Sequence, residues 1–387
     1  MASSGEIVLS RLAEGLEPFY VMETLETAAR MEKEGIDVIH FEVGHPDLPT
    51  APEVCEAAIE AVKRGETAYA PSTGIDSLKE RIAQAHCSRY GLNVTASNVL
   101  VTSGSSPALL IAVLCVVNPG DEVVITDPHY ACYPGMIKSA GGVPVTVPVY
   151  AEEKYQIDMA RLKKVLSPRT KAIIINSPSN PTGAIQIEET LAEISSLGIF
   201  VISDEIYHGL EYGVKSKSVL NHTNRAVAVN GFSKLCSMTG WRLGYMIAPE
   251  PFIRAAQKFQ QNLFLCANPF VQRGGEAAVE YVFPQADEIA AIYMKRRDAM
   301  IKELSKAGIS PCGDPRGAFY VFVKIPGKNT DSRRVASNIL EKTHVAVTPG
   351  FDFGREGEGH LRFSYATGID KINEGITRIV DYLQKTL

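Results

Sequence analysis

Three short segments combine reactive side chains with backbone features that would expose them. In Gly231-Phe232-Ser233-Lys234-Leu235-Cys236-Ser237-Met238-Thr239-Gly240-Trp241-Arg242-Leu243-Gly244, a lysine follows an apolar run among small residues. An arginine stands eight positions on, beside the only tryptophan. A lysine amine attacks a carbonyl carbon only when unprotonated, and burial or a neighbouring cation lowers its pKa toward that state. The segment therefore suits an amine that forms a Schiff base. In Phe200-Val201-Ile202-Ser203-Asp204-Glu205-Ile206-Tyr207, Asp204 and Tyr207 leave an apolar run three residues apart, so one helical turn would face both to one ligand. A carboxylate at such a strand end is costly without a partner. In Thr102-Ser103-Gly104-Ser105-Ser106-Pro107, the glycine permits a tight turn, Ser106 can cap a helix and Pro107 suits its first position. Free N–H groups and hydroxyls would then form an anion site. Taken alone, each segment also has a bland reading: a solvated lysine, a solvated carboxylate, an ordinary cap.

The elements that must present these segments alternate along the chain. Val99–Thr102, Glu122–Thr126, Lys171–Ile175, Phe200–Ser203, Ala226–Val229 and Leu243–Ile247 read as strands, several of them apolar on both faces, with helical patterns between. Asn118-Pro119-Gly120 stops a helix begun near Pro107, and Asp127-Pro128 closes a strand. The series predicts a doubly wound α/β domain, in which ligands bind beyond the carboxyl ends of the strands. All three segments sit there. After about residue 285 the pattern becomes α+β: a helix over Ile289–Leu304, a strand over Gly317–Val323, a helix over Ser332–Lys342, a strand at His360–Ser364 and a closing helix near Ile372–Gln384.

Composition narrows the function classes. At 387 residues the chain exceeds a single core, and 45% hydrophobic with 21% charged residues is an ordinary globular balance. Net charge is −5 without any Lys/Arg-rich block, so nucleic acid and anionic membranes are not expected partners. The longest apolar run, Leu109–Val117, is too short to span a bilayer. The N-terminal stretch lacks a basic segment and does not read as a signal peptide, so the cytoplasm is the expected compartment. Cys55, Cys87, Cys115, Cys132, Cys236, Cys266 and Cys312 lie far apart without zinc spacing, and buried free thiols are expected. No nucleotide-loop, zinc-protease or nucleophile-elbow motif occurs, and no metal is expected.

Taken together, the segments resemble the class I/II aminotransferases, the fold-type-I pyridoxal-phosphate enzymes. Ser233-Lys234-(x5)-Gly240-x-Arg242-x-Gly244 is similar to their cofactor-lysine motif, Asn176-Ser-Pro-Ser-Asn180-Pro181-Thr182-Gly183 to their Asn-Pro-Thr-Gly signature, and Asp204-Glu-Ile-Tyr207 to their Asp-x-x-Tyr. The blocks follow family order from about Gly35 to Thr367. The resemblance implies a mostly parallel seven-stranded sheet in a large domain, residues 50–285. A smaller α+β domain would combine residues 1–49 with 286–387 and close over the substrate.

The resemblance also implies roles. Lys234 would hold the cofactor as a Schiff base and shuttle a proton. Asp204 would pair with the pyridinium nitrogen, and Tyr207 and Asn180 would bond the phenolic oxygen. The loop at Gly104, Ser105 and Ser106, with Ser233 and Arg242, would hold the phosphate, and Tyr130 would stack on the ring. Tyr69 would reach the phosphate of a neighbouring subunit, implying a homodimer. Arg362 would bind the substrate carboxylate by a two-pronged pair, helped by the Gly44 N–H and by Asn180. The implied reaction moves an amino group from an L-amino acid to a 2-oxo acid, 2-oxoglutarate being the expected acceptor, with ping-pong kinetics.

The same scaffold hosts other chemistry. A β-eliminating C–S lyase or a cyclising lyase would keep every residue named. A silent pyridoxal-phosphate sensor is the distant alternative, for which the N-terminal stretch leaves no room for a DNA-binding domain. His45 and His208 read as structural. Where acid-specific relatives often carry Gly-Gly-Lys, this chain has Ser105-Ser106-Pro107, so no lysine meets a substrate side-chain carboxylate there. Phe19, Tyr20 and Tyr320 are expected to line a pocket suited to neutral or aromatic side chains.

Overall fold

Runs of β-branched and aliphatic residues that bury both faces become the central strands, because only a parallel sheet covered by helices hides both sides. The structure, a computed structural model, describes residues 7–327 and 331–386. The remaining positions of the expected segments 1–49 and 286–387 lie outside the described residues. The strands are β1 (Ile39–His40), β2 (Val99–Thr102), β3 (Glu122–Asp127), β4 (Val143–Pro148), β5 (Thr170–Asn176), β6 (Phe200–Asp204), β7 (Ala226–Gly231), β8 (Gly244–Ile247), β9 (Tyr320–Lys324), β10 (Val345–Ala346), β11 (Thr348–Pro349) and β12 (His360–Ser364).

Among the described residues the largest sheet has seven strands in the order β2-β8-β7-β6-β5-β3-β4. β8 runs antiparallel to β2 and β7, and the other pairings are parallel, as expected. Successive side chains point to opposite faces. Ala172 and Ile174 of β5 accordingly join the core that also holds Ile111, Ile202 and Met246, while Ile173 and Ile175 join the core with Leu191, Ile194 and Val201. The edge strand β4 was not expected. Its sequence, Val-Pro-Val-Thr-Val-Pro, reads as broken by proline, but an edge strand tolerates residues that cannot donate to a ladder, and its outer positions are exposed.

The second sheet places β12 between β11 and β9, all antiparallel, and β1 pairs in parallel with β10 through Ile39 and Val345. The Ser364 amide donates to the Phe41 carbonyl at 2.7 Å. The early and late parts of the chain are thus stitched together, which sets Gly44 beside Arg362. The predicted helices run Ala286–Lys306, Ser332–Thr343 and Ile369–Thr386. The expected strand from Gly317 begins only at Tyr320, because Ala318 adopts a left-handed φ of 57°.

Two local expectations need correction. The helix after β2 spans Ser105–Val116 and is capped by Gly104 at φ 106° without a side-chain cap bond. Ser106 therefore lies in the first turn instead of capping it, and Pro107 is third instead of first. All seven cysteines are free, but only Cys236 is buried; the others are half-buried. No helix among the described residues is long and apolar enough to cross a membrane.

The sheet and the loop after β2 meet through a glycine. A Cβ on Gly244 would stand 2.5 Å from the Gly104 carbonyl carbon and from the Ser105 nitrogen. Overpacking of this kind costs about 1–3 kcal/mol. Gly244→Ala should lower the guanidinium unfolding midpoint accordingly; an unchanged midpoint would mean that this contact is loose.

Candidate active site

The strand ends converge. β6 ends in Asp204, β5 in Asn176, β7 runs into Phe232-Ser233-Lys234, and the loop after β2 leads to Ser105. Where they face the second sheet there is a cavity of about 580 Å³. Lys234, Asp204, Tyr207, Asn180, Tyr130 and Ser233 border it, as do Ser105, Ser106, Arg242, Gly44 and Arg362. Gly104 does not border it but forms the turn behind, where a Cβ would come within 2.5 Å of the Arg242 guanidinium. Tyr69 is not brought there: it is 83% exposed on the outside of the chain.

Lys234 donates from Nζ to the Gly44 carbonyl at 2.7 Å. The rings of Tyr207 and Phe319 lie 6.0 and 5.9 Å from Nζ. Burial, then the charges of Arg362 and Arg242, lower its pKa to about 8 against the opposing pull of Asp204. At neutral pH this leaves roughly a hundredfold more free amine than an ordinary lysine offers.

Asp204 is buried, and burial raises its pKa to about 6. The Tyr133 hydroxyl, donating to Oδ2 at 2.7 Å, and the Ile206 amide, donating to Oδ1 at 3.3 Å, hold it down from going higher. The carboxylate is therefore mostly ionised at neutral pH. Asn176 supports the same strand end, donating from Nδ2 to the Asp204 carbonyl at 3.0 Å and accepting at Oδ1 from the Asn180 amide at 2.7 Å.

Arg362 is 2% exposed in the middle of β12. Its Nη1 donates to Asn180 Oδ1 at 2.7 Å, and its Nη2 donates to Thr348 Oγ1 at 3.0 Å and to the Glu42 carbonyl. The Tyr320 and Phe353 rings flank the guanidinium at 4.4 and 4.9 Å. Nε is buried without a hydrogen-bond partner among the described residues. A buried cation with a donor to spare is ready for an anion.

The donor set fits pyridoxal phosphate. A nucleophilic amine, a buried carboxylate and an anion cradle, made of a helix N-terminus, Ser105, Ser106, Ser233 and Arg242, border one cavity, with the Gly104 turn behind.

Some contributors were missed. Tyr133 lies one turn past Tyr130, and that spacing could have disclosed it. The rings meet edge to face at 5.4 Å. Tyr320 was expected in the pocket and is there, but its hydroxyl bond to the Tyr207 hydroxyl, at 2.8 Å, was not foreseen. A Cβ on Gly44 would overlap that Tyr320 hydroxyl, so only glycine fits there. The helix Tyr20–Lys33 closes one side with Val21, Met22 and Leu25, next to Phe19. Tyr20 itself does not border the cavity but sits under the Arg333 guanidinium, 5.5 Å away. His208 is buried, bonded to the Tyr90 hydroxyl at 3.0 Å and pushed down to about 3 by burial, hence neutral. His45 does border the cavity, bonded to Thr239 Oγ1 at 2.7 Å.

Competitive labelling of the protein without cofactor by an amine-directed reagent should show Lys234 reactivity rising with pH around a midpoint near 8. Ordinary lysines titrate near ~10.4. A Lys234 midpoint near that value would contradict the electrostatics described.

The family described as aminotransferase class I and II matches residues 36–379 of the chain. The (5-formylfuran-3-yl)methyl phosphate transaminase of Methanocaldococcus jannaschii is 37% identical over 98% of this chain and 100% of its own length. An aspartate aminotransferase of Sulfurisphaera tokodaii is 36% identical over 92% of this chain and 93% of its own. Among solved structures, aspartate aminotransferase from Thermus thermophilus with maleate superposes with a TM-score of 0.92 at 33% identity, covering 97% of this chain and 100% of that one.

Proposed function

The chain belongs to the class I and II aminotransferases, and from that membership we propose that Lys234 is the residue that binds the cofactor covalently. It is a fold-type-I, pyridoxal-phosphate-dependent aminotransferase, acting on amino and 2-oxo acids. The observation that carries the residue assignment is the placement of the Lys234 amine on the Gly44 carbonyl, in a cavity it shares with Arg362, Arg242 and Asp204 at the carboxyl end of the sheet.

Bound pyridoxal phosphate supplies an aldehyde and an electron-withdrawing ring that stabilises negative charge at the substrate Cα. The side chains do the rest. Neutral Lys234 Nζ would take the Cα proton and deliver it to the carbon that had been the cofactor's aldehyde. Asp204, ionised above about pH 6, would keep the ring nitrogen protonated. Tyr207 and Asn180 would bond the phenolic oxygen, and Tyr130 would pack against the ring. Ser105, Ser106, Ser233 and Arg242, with the turn at Gly104, hold the phosphate. Arg362 pairs with the substrate carboxylate, assisted by Gly44 and Asn180. Two successive half-reactions at one site require ping-pong kinetics.

Residues 50–285 serve as the cofactor-binding domain, and 1–49 with 286–387 as the smaller one; the β1–β10 pairing supports this division. The exposure of Tyr69, away from its own cavity, supports a homodimer in which it reaches the neighbouring phosphate. Seven free cysteines are in keeping with a cytoplasmic protein.

Borohydride reduction of the loaded enzyme followed by peptide mapping should place the label on Lys234, and Lys234→Ala should lose both label and turnover. A label elsewhere would overturn the assignment. Mixing Tyr69→Ala chains with Lys234→Ala chains should give more activity than the two separately, because one hybrid site is then complete. Simple additivity would exclude the cross-subunit role.

A further inference from the structure

We propose that the amino donor carries an aromatic or other large apolar side chain, selected by the wall formed by Phe19, Val21, Met22 and Leu25. This rests on the aminotransferase reading of the cavity. Among the described residues bordering the cavity, the cationic side chains are Lys234, Arg242 and Arg362. Each is already engaged. Lys234 carries the cofactor. Arg242 donates from Nη1 to the Thr239 carbonyl at 2.8 Å and lies against Gly104 at the phosphate end. Arg362 is tied to Asn180, Thr348 and Glu42 at the α-carboxylate end.

His45 and Thr239, which also border the cavity, are bonded to each other, and the side formed by Phe19, Val21, Met22 and Leu25 is apolar. Val21, Met22 and Leu25 belong to one end of the helix Tyr20–Lys33, with Phe19 just before it. The Phe19 ring meets the Tyr130 ring edge to face, with centroids 6.2 Å apart and planes at 88°. A side-chain carboxylate placed there would lose its water and, among the described residues bordering the cavity, gain no further cation, whereas an aromatic ring would replace water at no such cost.

The wall is also fixed in place relative to Arg362. The Val21 amide donates to Asp352 Oδ2 at 3.0 Å, and Asp352 lies on the turn Gly350–Phe353, whose Phe353 ring flanks the Arg362 guanidinium. One support therefore sets the distance between the carboxylate anchor and the side-chain wall. The charge that anchors the wall is negative, the same sign as an acidic substrate side chain.

The test uses the holoenzyme. Half-reactions with phenylalanine, leucine, aspartate and glutamate are followed by absorbance, and 3-phenylpropanoate and succinate are titrated as equilibrium ligands. Phenylalanine should exceed aspartate in kcat/KM by about a hundredfold, and 3-phenylpropanoate should bind more tightly than succinate. Aspartate or glutamate equal to phenylalanine, or succinate binding more tightly, would overturn the proposal, because a cation must then reach the wall from elsewhere, such as a second copy. Conversion of none of the amino acids would sink the aminotransferase reading of the site, while the two ligand affinities would still decide the character of the wall. Met22 is 47% exposed, so Met22→Arg should fold. It should shift the ratio of the two affinities toward succinate by at least about tenfold, a single close charge pair being worth that much. An unchanged ratio would remove Met22 from the wall and overturn the assignment.

Discussion

A lysine that must be both buried and partly unprotonated can only be held where other cations press on it and a carboxylate keeps it from being expelled altogether. Lys234 meets that condition: burial, Arg362 and Arg242 act in one direction and Asp204 in the other. The hydrogen bonds to these charged groups keep the arrangement stable. Arg362 spreads its charge over three oxygen acceptors and two aromatic faces. Asp204 receives Tyr133 and a backbone amide. Lys234 itself rests on the Gly44 carbonyl. Buried charges without such partners would be neutralised or would pull the loops apart.

The fold brings these groups together by two separate devices. The parallel sheet delivers Asn176, Asp204 and Lys234 to the same edge, because parallel strands end on the same side. The pairing of β1 with β10 and the bond from Ser364 to Phe41 deliver Gly44 and Arg362, which lie far apart in sequence. The Glu42 carbonyl links the second device to the first, since it accepts from the guanidinium that Asn180 also holds. The sheet alone would place a carboxylate and an amine but leave the cavity without the Arg362 guanidinium.

How much could be read beforehand follows from the same physics. The strands β2, β5, β6 and β7 were legible because both faces are buried, which forces continuous aliphatic runs. β4 was not, since an edge strand bears prolines and exposed positions that a central strand cannot. Lys234, Asp204, Asn180 and Arg362 stood out because they sit in short motifs of small residues and turns. Tyr133 and Thr348 did not, because a hydroxyl that supports a charge has no neighbouring pattern of its own. Ser106 looked like a cap because serine commonly is one, but Gly104 at positive φ starts the helix two residues earlier. The helix Tyr20–Lys33 went unremarked, since Phe19, Met22 and Leu25 show only the spacing of an ordinary amphipathic face.

The faintness of this wall in the sequence has a physical cause. Groups that carry charge in the cavity are coupled: changing Asp204 alters the balance on Lys234, and changing Asn180 strips a partner from Arg362. Such residues are held to one identity by several neighbours at once. The apolar wall has no such coupling. Dispersion and burial depend on size and shape, so several side chains of similar volume satisfy the same wall. Its only strict requirement is position, and the Asp352 carboxylate supplies that through the backbone of Val21, not through any wall side chain. Reaction type is therefore written in residues that cannot vary independently. The apolar wall is written in residues that can, and it becomes visible only when the folded chain shows which helix face borders the cavity.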